Sequence, residues 1–301
     1  MDSKTKSGFV SIIGRPNVGK STLMNKIIGQ KIAITSSKPQ TTRTRISTVY
    51  TKDNIQMVFV DTPGLHKAKN KLGESMVSAA KRTFNESDVC LFLIEADPTL
   101  GEQDENILSL LRTVSIPVIL VLTKTDKYEK EKVFKAIELF SKQMDFADVI
   151  PLSAKNGKNI DTLLEVLEKF IPEGPFFYDP ETLTDQPERQ IVSEIIREKC
   201  LRCLGDEIPH GIAVVIESMS FSKNVCDIEA SIICERDTHK GMIIGKGASK
   251  IKEIGSMARI DIEKMVDKKV NLKLFVKTKE NWRDSEFLLK NFGFISDDKE
   301  N

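Results

Sequence analysis

Long apolar runs are missing from this chain: no stretch approaches the ~20 residues that a membrane-spanning helix needs, so the protein is expected to be soluble or at most peripheral. Cysteine is sparse and odd in number, five in 301 residues, and the polar start Met1–Ser7 carries no apolar leader. A reduced, cytoplasmic setting is the expectation. Cys200 and Cys203 form a CxxC pair, but no second pair or suitably spaced histidines accompany them, and Cys226 and Cys234 lie in strand-like runs. That pattern argues against structural zinc. Net charge is nearly absent too, at +1, so the whole chain does not advertise a polyanionic partner.

The balance is uneven along the length. Residues 240–283 hold 12 Lys and Arg against 5 Asp and Glu, which leaves the remainder acidic and points to a nucleic acid for the C-terminal part. A solvated charged helix is the alternative. The length suits two domains, each able to bury a core.

From Phe9 to Pro172 short apolar strands alternate with helical segments, the signature of a mostly parallel sheet with helices on both faces. Strands are expected at 9–13, 46–50, 56–61, 89–95, 117–123 and 149–152, and helices at 21–28, 72–85, 102–113, 130–143 and 160–170. Residues 173–189, with their prolines and weak periodicity, read as a linker. A smaller α+β domain is expected over 190–283: a helix at 190–204, strands at 213–219 and 227–234, a short helix at 240–244, helices at 248–257 and 261–266, and a strand at 271–277. A closing helix and tail occupy 284–301. The domain boundaries are therefore 5–172, 190–283 and the tail.

Gly14-Arg15-Pro16-Asn17-Val18-Gly19-Lys20-Ser21 fits GxxxxGK[ST] and follows the apolar run Phe9–Ile13. Its backbone N–H groups can surround phosphate oxygens, Lys20 can meet the outer phosphates, and Ser21 can ligate Mg²⁺. Asp61-Thr62-Pro63-Gly64, followed by Leu65, ends another strand; Asp61 would hold Mg²⁺ through water, and the Gly64 N–H can approach a terminal phosphate. Lys20, Asp61 and Gly64 are thus expected in the catalytic set. Thr123-Lys124-Thr125-Asp126 ends a third strand, where Asp126 can accept from guanine N1–H and the 2-amino group that adenine lacks. Ser153-Ala154-Lys155 follows a fourth, and can offer a backbone N–H to guanine O6.

With these stations in order, residues 8–172 resemble the small P-loop GTPases of the Ras-like, translation-factor-related class. The resemblance implies that Ser36–Arg43 is the first switch segment, with Thr42 reaching Mg²⁺ and the γ-phosphate in the GTP state. Thr123 stands where that class usually carries Asn, so a weaker loop brace is expected. Leu65 stands at the position of a water-orienting glutamine, which implies slow intrinsic hydrolysis. PNVGKS resembles GTPases in which the asparagine, here Asn17, helps hold K⁺ beside the phosphates.

Gly245-Lys246-Gly247-Ala248, between two helical segments, resembles the GxxG clamp of KH domains, and two strands before it with one after suit the type II topology. Ala248 replaces the second glycine and disfavours positive φ, so altered clamp geometry is expected. Lys250, Lys252 and Arg259 are candidate phosphate contacts, whereas Trp282 and Arg283 read as structural. Together, the phosphate loop, the QTTR segment, DTPGL, TKTD, SAK, GMIIGKGA and the VKxxxxWR end resemble the Era family of bacterial ribosome-assembly GTPases over nearly the whole chain. The resemblance implies GTP and GDP as ligands, binding near the 3′ end of 16S ribosomal RNA, maturation of the 30S small subunit, occasional association with the inner membrane surface, and a monomer. Two rivals stand beside it: an ATP-dependent P-loop enzyme, which Asp126 opposes, and an RNA-binding scaffold in which nucleotide only stabilises the fold.

Overall fold

A computed structural model describes residues 4–30, 46–61, 71, 86–204, 208 and 211–294. The chain divides into two compact units, the first ending at Asp185 and the second taking up from Gln186.

The first unit is built on a six-stranded sheet. Its strands are β1 (Lys6–Gly14), β2 (Ile46–Lys52), β3 (Ile55–Asp61), β4 (Val89–Glu95), β5 (Val118–Thr123) and β6 (Asp148–Pro151), in the order β2-β3-β1-β4-β5-β6. All neighbours pair in parallel except β2, which runs antiparallel to β3 at the edge. Every residue of β3 and β5 is buried, as a sheet covered on both faces requires. One face packs Val10, Ile12 and Leu91 against Leu23 and Met24 of α1 (Lys20–Ile28). The other packs Ile13, Phe92 and Leu120 against Leu111 of α2 (Glu102–Leu111) and Phe140 of α3 (Lys130–Ser141). Leu163 and Leu167 of α4 (Ile160–Glu168) complete the first face. Because β3 and β4 flank β1 on opposite sides, the order reverses there, and ligand crevices open beyond the C-terminal end of such a strand. The helix expected at 72–85 lies outside the described residues.

Most of the expected linker is not a tether. Val49 N–H donates to Leu183 O at 2.9 Å, and Thr184 Oγ1 donates to Ser47 O at 2.7 Å, so the segment lies along β2. The fully buried amide of Gln56 accepts from Phe177 N–H at 2.8 Å and Tyr178 N–H at 3.0 Å, and donates to Tyr178 O at 2.9 Å. Residues 173–185 are therefore part of the first unit, and the next helix already starts at Glu188. Prolines masked this fastening in the sequence, because the bonds come from β1, β2 and β3 and not from any periodicity of the segment itself.

The second unit contains α5 (Glu188–Cys203), β7 (Ala213–Phe221), β8 (Val225–Cys234), α6 (Asp237–Ile244), α7 (Ser249–Val266), β9 (Lys269–Thr278) and α8 (Glu286–Asn291). β7 pairs antiparallel and β9 parallel with the central β8. Ile195, Ile196, Ile254, Ala258 and Ile262 pack with Ile228 and Ala230 to form the core. The two helices expected at 248–257 and 261–266 are one. Nothing between Ala258 and Asp261 breaks a helix, and Ile254, Ala258 and Ile262 recur every fourth residue on its buried face. Trp282 is fully buried, donates from Nε1 to Gly211 O at 3.1 Å, and stacks on Phe294 with centroids 5.7 Å apart. The tail through Phe294 thus belongs to this unit's packing.

Candidate functional site

β1 delivers Gly14 to the crevice. A Cβ there would lie 2.4 Å from Leu93 O and 2.9 Å from Val18 Cγ1, so only glycine lets the loop leave the sheet this close to β4. The chain then turns through Asn17 and Gly19, both at positive φ, and enters α1 at Lys20. Lys20 is buried and its Nζ donates to Gly14 O at 2.9 Å and Arg15 O at 3.2 Å. Burial pushes its pKa down, with the Asp61 charge opposing. A buried ammonium held across a glycine loop is prepared for a polyanion. The Arg15 side chain points elsewhere: its Nε pairs with the buried Asp104 at 3.0 Å, and Asp104 also accepts from Gly101 N–H at 3.1 Å at the start of α2. Arg15 can therefore offer this crevice its backbone.

Ser21 Oγ donates to Asp61 Oδ2 at 3.3 Å, which sets two hard oxygen donors beside the lysine. That pair suits Mg²⁺ in chemistry, and among the described residues no group of three or more His, Cys, Asp or Glu could hold a metal ion. The rest of its shell would come from water and phosphate, as Mg²⁺ prefers. Thr42, Thr62, Pro63, Gly64 and Leu65 lie outside the described residues.

Thr123 ends β5, and its hydroxyl lies 2.6 Å from Val18 O and 2.9 Å from Ile94 O, donating inward. The brace expected to be weak is made, between the phosphate loop and the β4–β5 pair. Lys124 takes a left-handed conformation with φ 57°, and Thr125–Lys127 form a single 3₁₀ turn. Asp126, in the middle of that turn, is exposed, and its Oδ1 accepts from Ser153 Oγ at 2.6 Å. This bond holds the Asp126 carboxyl below its ordinary pKa, so it is ionised at neutral pH. Ser153 in turn accepts from Asn156 N–H at 3.2 Å, and Asn159 Nδ2 donates to Pro151 O at 2.7 Å, closing the Ser153–Lys155 loop. Ala154 is buried and Lys155 exposed. The structure thus brings the phosphate loop, the Asp126 turn and the Ser153 loop to the C-terminal rim of one sheet. An anionic acceptor fixed by a neighbouring hydroxyl can receive two N–H donors from a ligand edge.

Sequence reasoning overlooked Glu95 and Tyr128. Glu95 closes β4 in register with Thr123, and accepts from Lys124 Nζ at 2.7 Å and from Tyr128 OH at 2.8 Å. The available signal was a carboxylate at a strand's C-terminal end beside the base-loop strand.

In the second unit, Gly245 takes φ 72° with ψ 170°, and Gly247 and Ala248 follow at φ 56° and 62°. Ala248 thus takes a left-handed backbone despite its Cβ, a conformation that glycine adopts without strain. Lys246 and Lys252 are exposed, whereas Lys250 is engaged with Glu253 at 2.8 Å. The loop opens α7 at Ser249, beside helix N–H groups and two exposed ammonium groups.

The sequence pattern of the 50S ribosome-binding GTPase family matches residues 9–124, and that of the KH domain matches 207–283. The chain is 53% identical over 290 residues to the GTPase Era of Clostridium novyi, covering 96% of this chain and 99% of the relative. It is 51% identical over 292 residues to that of Clostridioides difficile, at 96% and 98% coverage. Two solved structures superpose with a TM-score of 0.92 at 37% identity, covering 96% of this chain and 99% of theirs: a variant of Aquifex aeolicus Era bound to GDP·AlF₄⁻, and Era in complex with MgGDPNP and nucleotides 1506–1542 of 16S ribosomal RNA. No helix among the described residues is long and apolar enough to cross a membrane. A phosphate loop, a guanine-type aspartate turn and a KH-type glycine loop on one chain, with this identity over nearly its full length, place it in the Era family of GTPases.

Proposed function

We propose that this GTPase uses its nucleotide state to control binding of single-stranded RNA near the 3′ end of 16S ribosomal RNA during maturation of the small subunit. The observation that carries the reading is the GKGA loop at the N-terminus of α7, with Lys246 and Lys252 exposed beside it. A loop of small residues lets a phosphodiester approach the main chain, and KH domains grip about four nucleotides this way. Crosslinking the protein to cellular RNA and sequencing the attached fragments tests it. Enrichment of the 3′ end of 16S RNA is expected; enrichment confined to unrelated RNA contradicts the assignment.

In the nucleotide site, Asp126 reads the guanine edge, Lys20 and the backbone of Gly14–Ser21 hold the phosphates, and Ser21 with Asp61 would hold Mg²⁺, Asp61 through water. The metal neutralises phosphate charge when bound. Thr42 and Gly64 complete the response to the terminal phosphate by likeness to the family. Leu65 has no polar side-chain atom to orient water, so intrinsic hydrolysis is slow. Asn17, at φ 64° in the phosphate loop, is the residue we assign to K⁺. Faster turnover in KCl than in NaCl at matched ionic strength supports that assignment, and equal rates remove it.

A further inference from the structure

We propose that Glu95 is a positioning residue for guanine selection, gripping both ends of the turn that presents Asp126. The proposal rests on the reading of Asp126 as the guanine acceptor. One carboxylate oxygen of Glu95 accepts from Lys124 Nζ at 2.7 Å and the other from Tyr128 OH at 2.8 Å. Those two residues bracket the 3₁₀ turn Thr125–Lys127, and Asp126 is its central residue. Tyr128 also packs against the core cluster that contains Phe92 and Leu120. The turn's described backbone bonds are Thr125 N–H to Leu152 O at 3.3 Å and Lys127 N–H to Lys124 O at 2.9 Å, and Lys124 sits in a left-handed conformation that a lysine does not favour.

Glu95 is anchored independently of the turn it grips. It is the last residue of β4, in register with Thr123, and the next residue's N–H, that of Ala96, donates to Thr123 O at 3.0 Å. Burial alone would raise the Glu95 carboxyl, but Lys124 and Tyr128 outweigh it and hold it below its ordinary value, so both oxygens accept at neutral pH. Tyr128, pushed up to about 12 by burial and by Glu95, stays protonated and donates. Asp126 is therefore fixed from two directions: its carboxylate by Ser153 and its backbone by Glu95. A carboxylate that must meet two donors at once loses selectivity when its backbone drifts, even where phosphate binding is untouched.

The test measures GDP and IDP affinities calorimetrically for the full-length protein, Glu95→Gln and Tyr128→Phe, with thermal unfolding of each. Hypoxanthine lacks the 2-amino group, so the GDP-to-IDP ratio reports the second Asp126 contact. If wild type does not prefer GDP, the reading of Asp126 itself fails. If wild type does, Glu95→Gln is expected to reduce the ratio by about tenfold, because glutamine offers one neutral acceptor oxygen to two donors, and Tyr128→Phe by less, because it leaves the charged Lys124 pair in place. An unchanged ratio in both variants overturns the proposal, as does a parallel fall in both affinities that tracks lost thermal stability. Should Glu95→Gln fail to fold, the ratio in Tyr128→Phe decides: reduced supports the clamp, unchanged rejects it.

Discussion

A hydroxyl at position 123 has one proton, and it points inward at two carbonyls. Thr123→Val keeps the shape and removes that donor, leaving buried acceptors on the phosphate loop and on β4. We expect a loss of about 1–3 kcal/mol in stability and weaker GDP binding. Chemical denaturation and calorimetry check this, and unchanged values for both would show that the brace is idle. Ala248 makes the opposite case. Its φ of 62° costs roughly 1–2 kcal/mol for an L-residue with a Cβ, against which glycine's greater chain entropy must be set. Ala248→Gly should thus stabilise the second unit by about 0.5–1 kcal/mol, seen as a higher unfolding midpoint for the fluorescence of the buried Trp282. A lower midpoint would mean the loop conformation is not held in the free protein.

At the level of elements, the parallel strands were readable because each is a short apolar run with a motif at its polar end. Gly14, Asp61 and Thr123 all fall where the strand stops, and the structure puts them on one rim. The hold on Asp126 was only partly readable. Ser153 lies in a motif of its own, but Glu95 acts across a strand pair, and pairing order is set by the whole sheet and not by its neighbours in sequence. The fastening of 173–185 was hidden for the same reason, since part of it comes from a buried amide, Gln56, that sits 121 residues from Phe177. Gln56→Leu removes that amide and strands the Phe177 and Tyr178 N–H groups. The expected loss is about 2–4 kcal/mol, with new proteolytic cleavage between 173 and 185. Cleavage rates matching wild type would show that the contacts with β1 and β2 hold the segment without the amide.

For the molecule as a whole, the sign of charge changes along the chain while the net stays at +1, so the positive charge is concentrated in the C-terminal part. Leu183 and Thr184 bond to β2, which begins at Ile46, four residues after Thr42 in the sequence. Under the role proposed for Thr42, a change of nucleotide there has a covalent neighbour bonded to the chain that leads into α5. Linkage then requires that RNA alter nucleotide affinity by the same factor that nucleotide alters RNA affinity. The direct test is the affinity for a labelled oligonucleotide of 16S nucleotides 1506–1542, measured at one salt concentration with GDP and with a non-hydrolysable GTP analogue. We predict a difference of about fivefold or more between the two states; equal affinities would contradict the account.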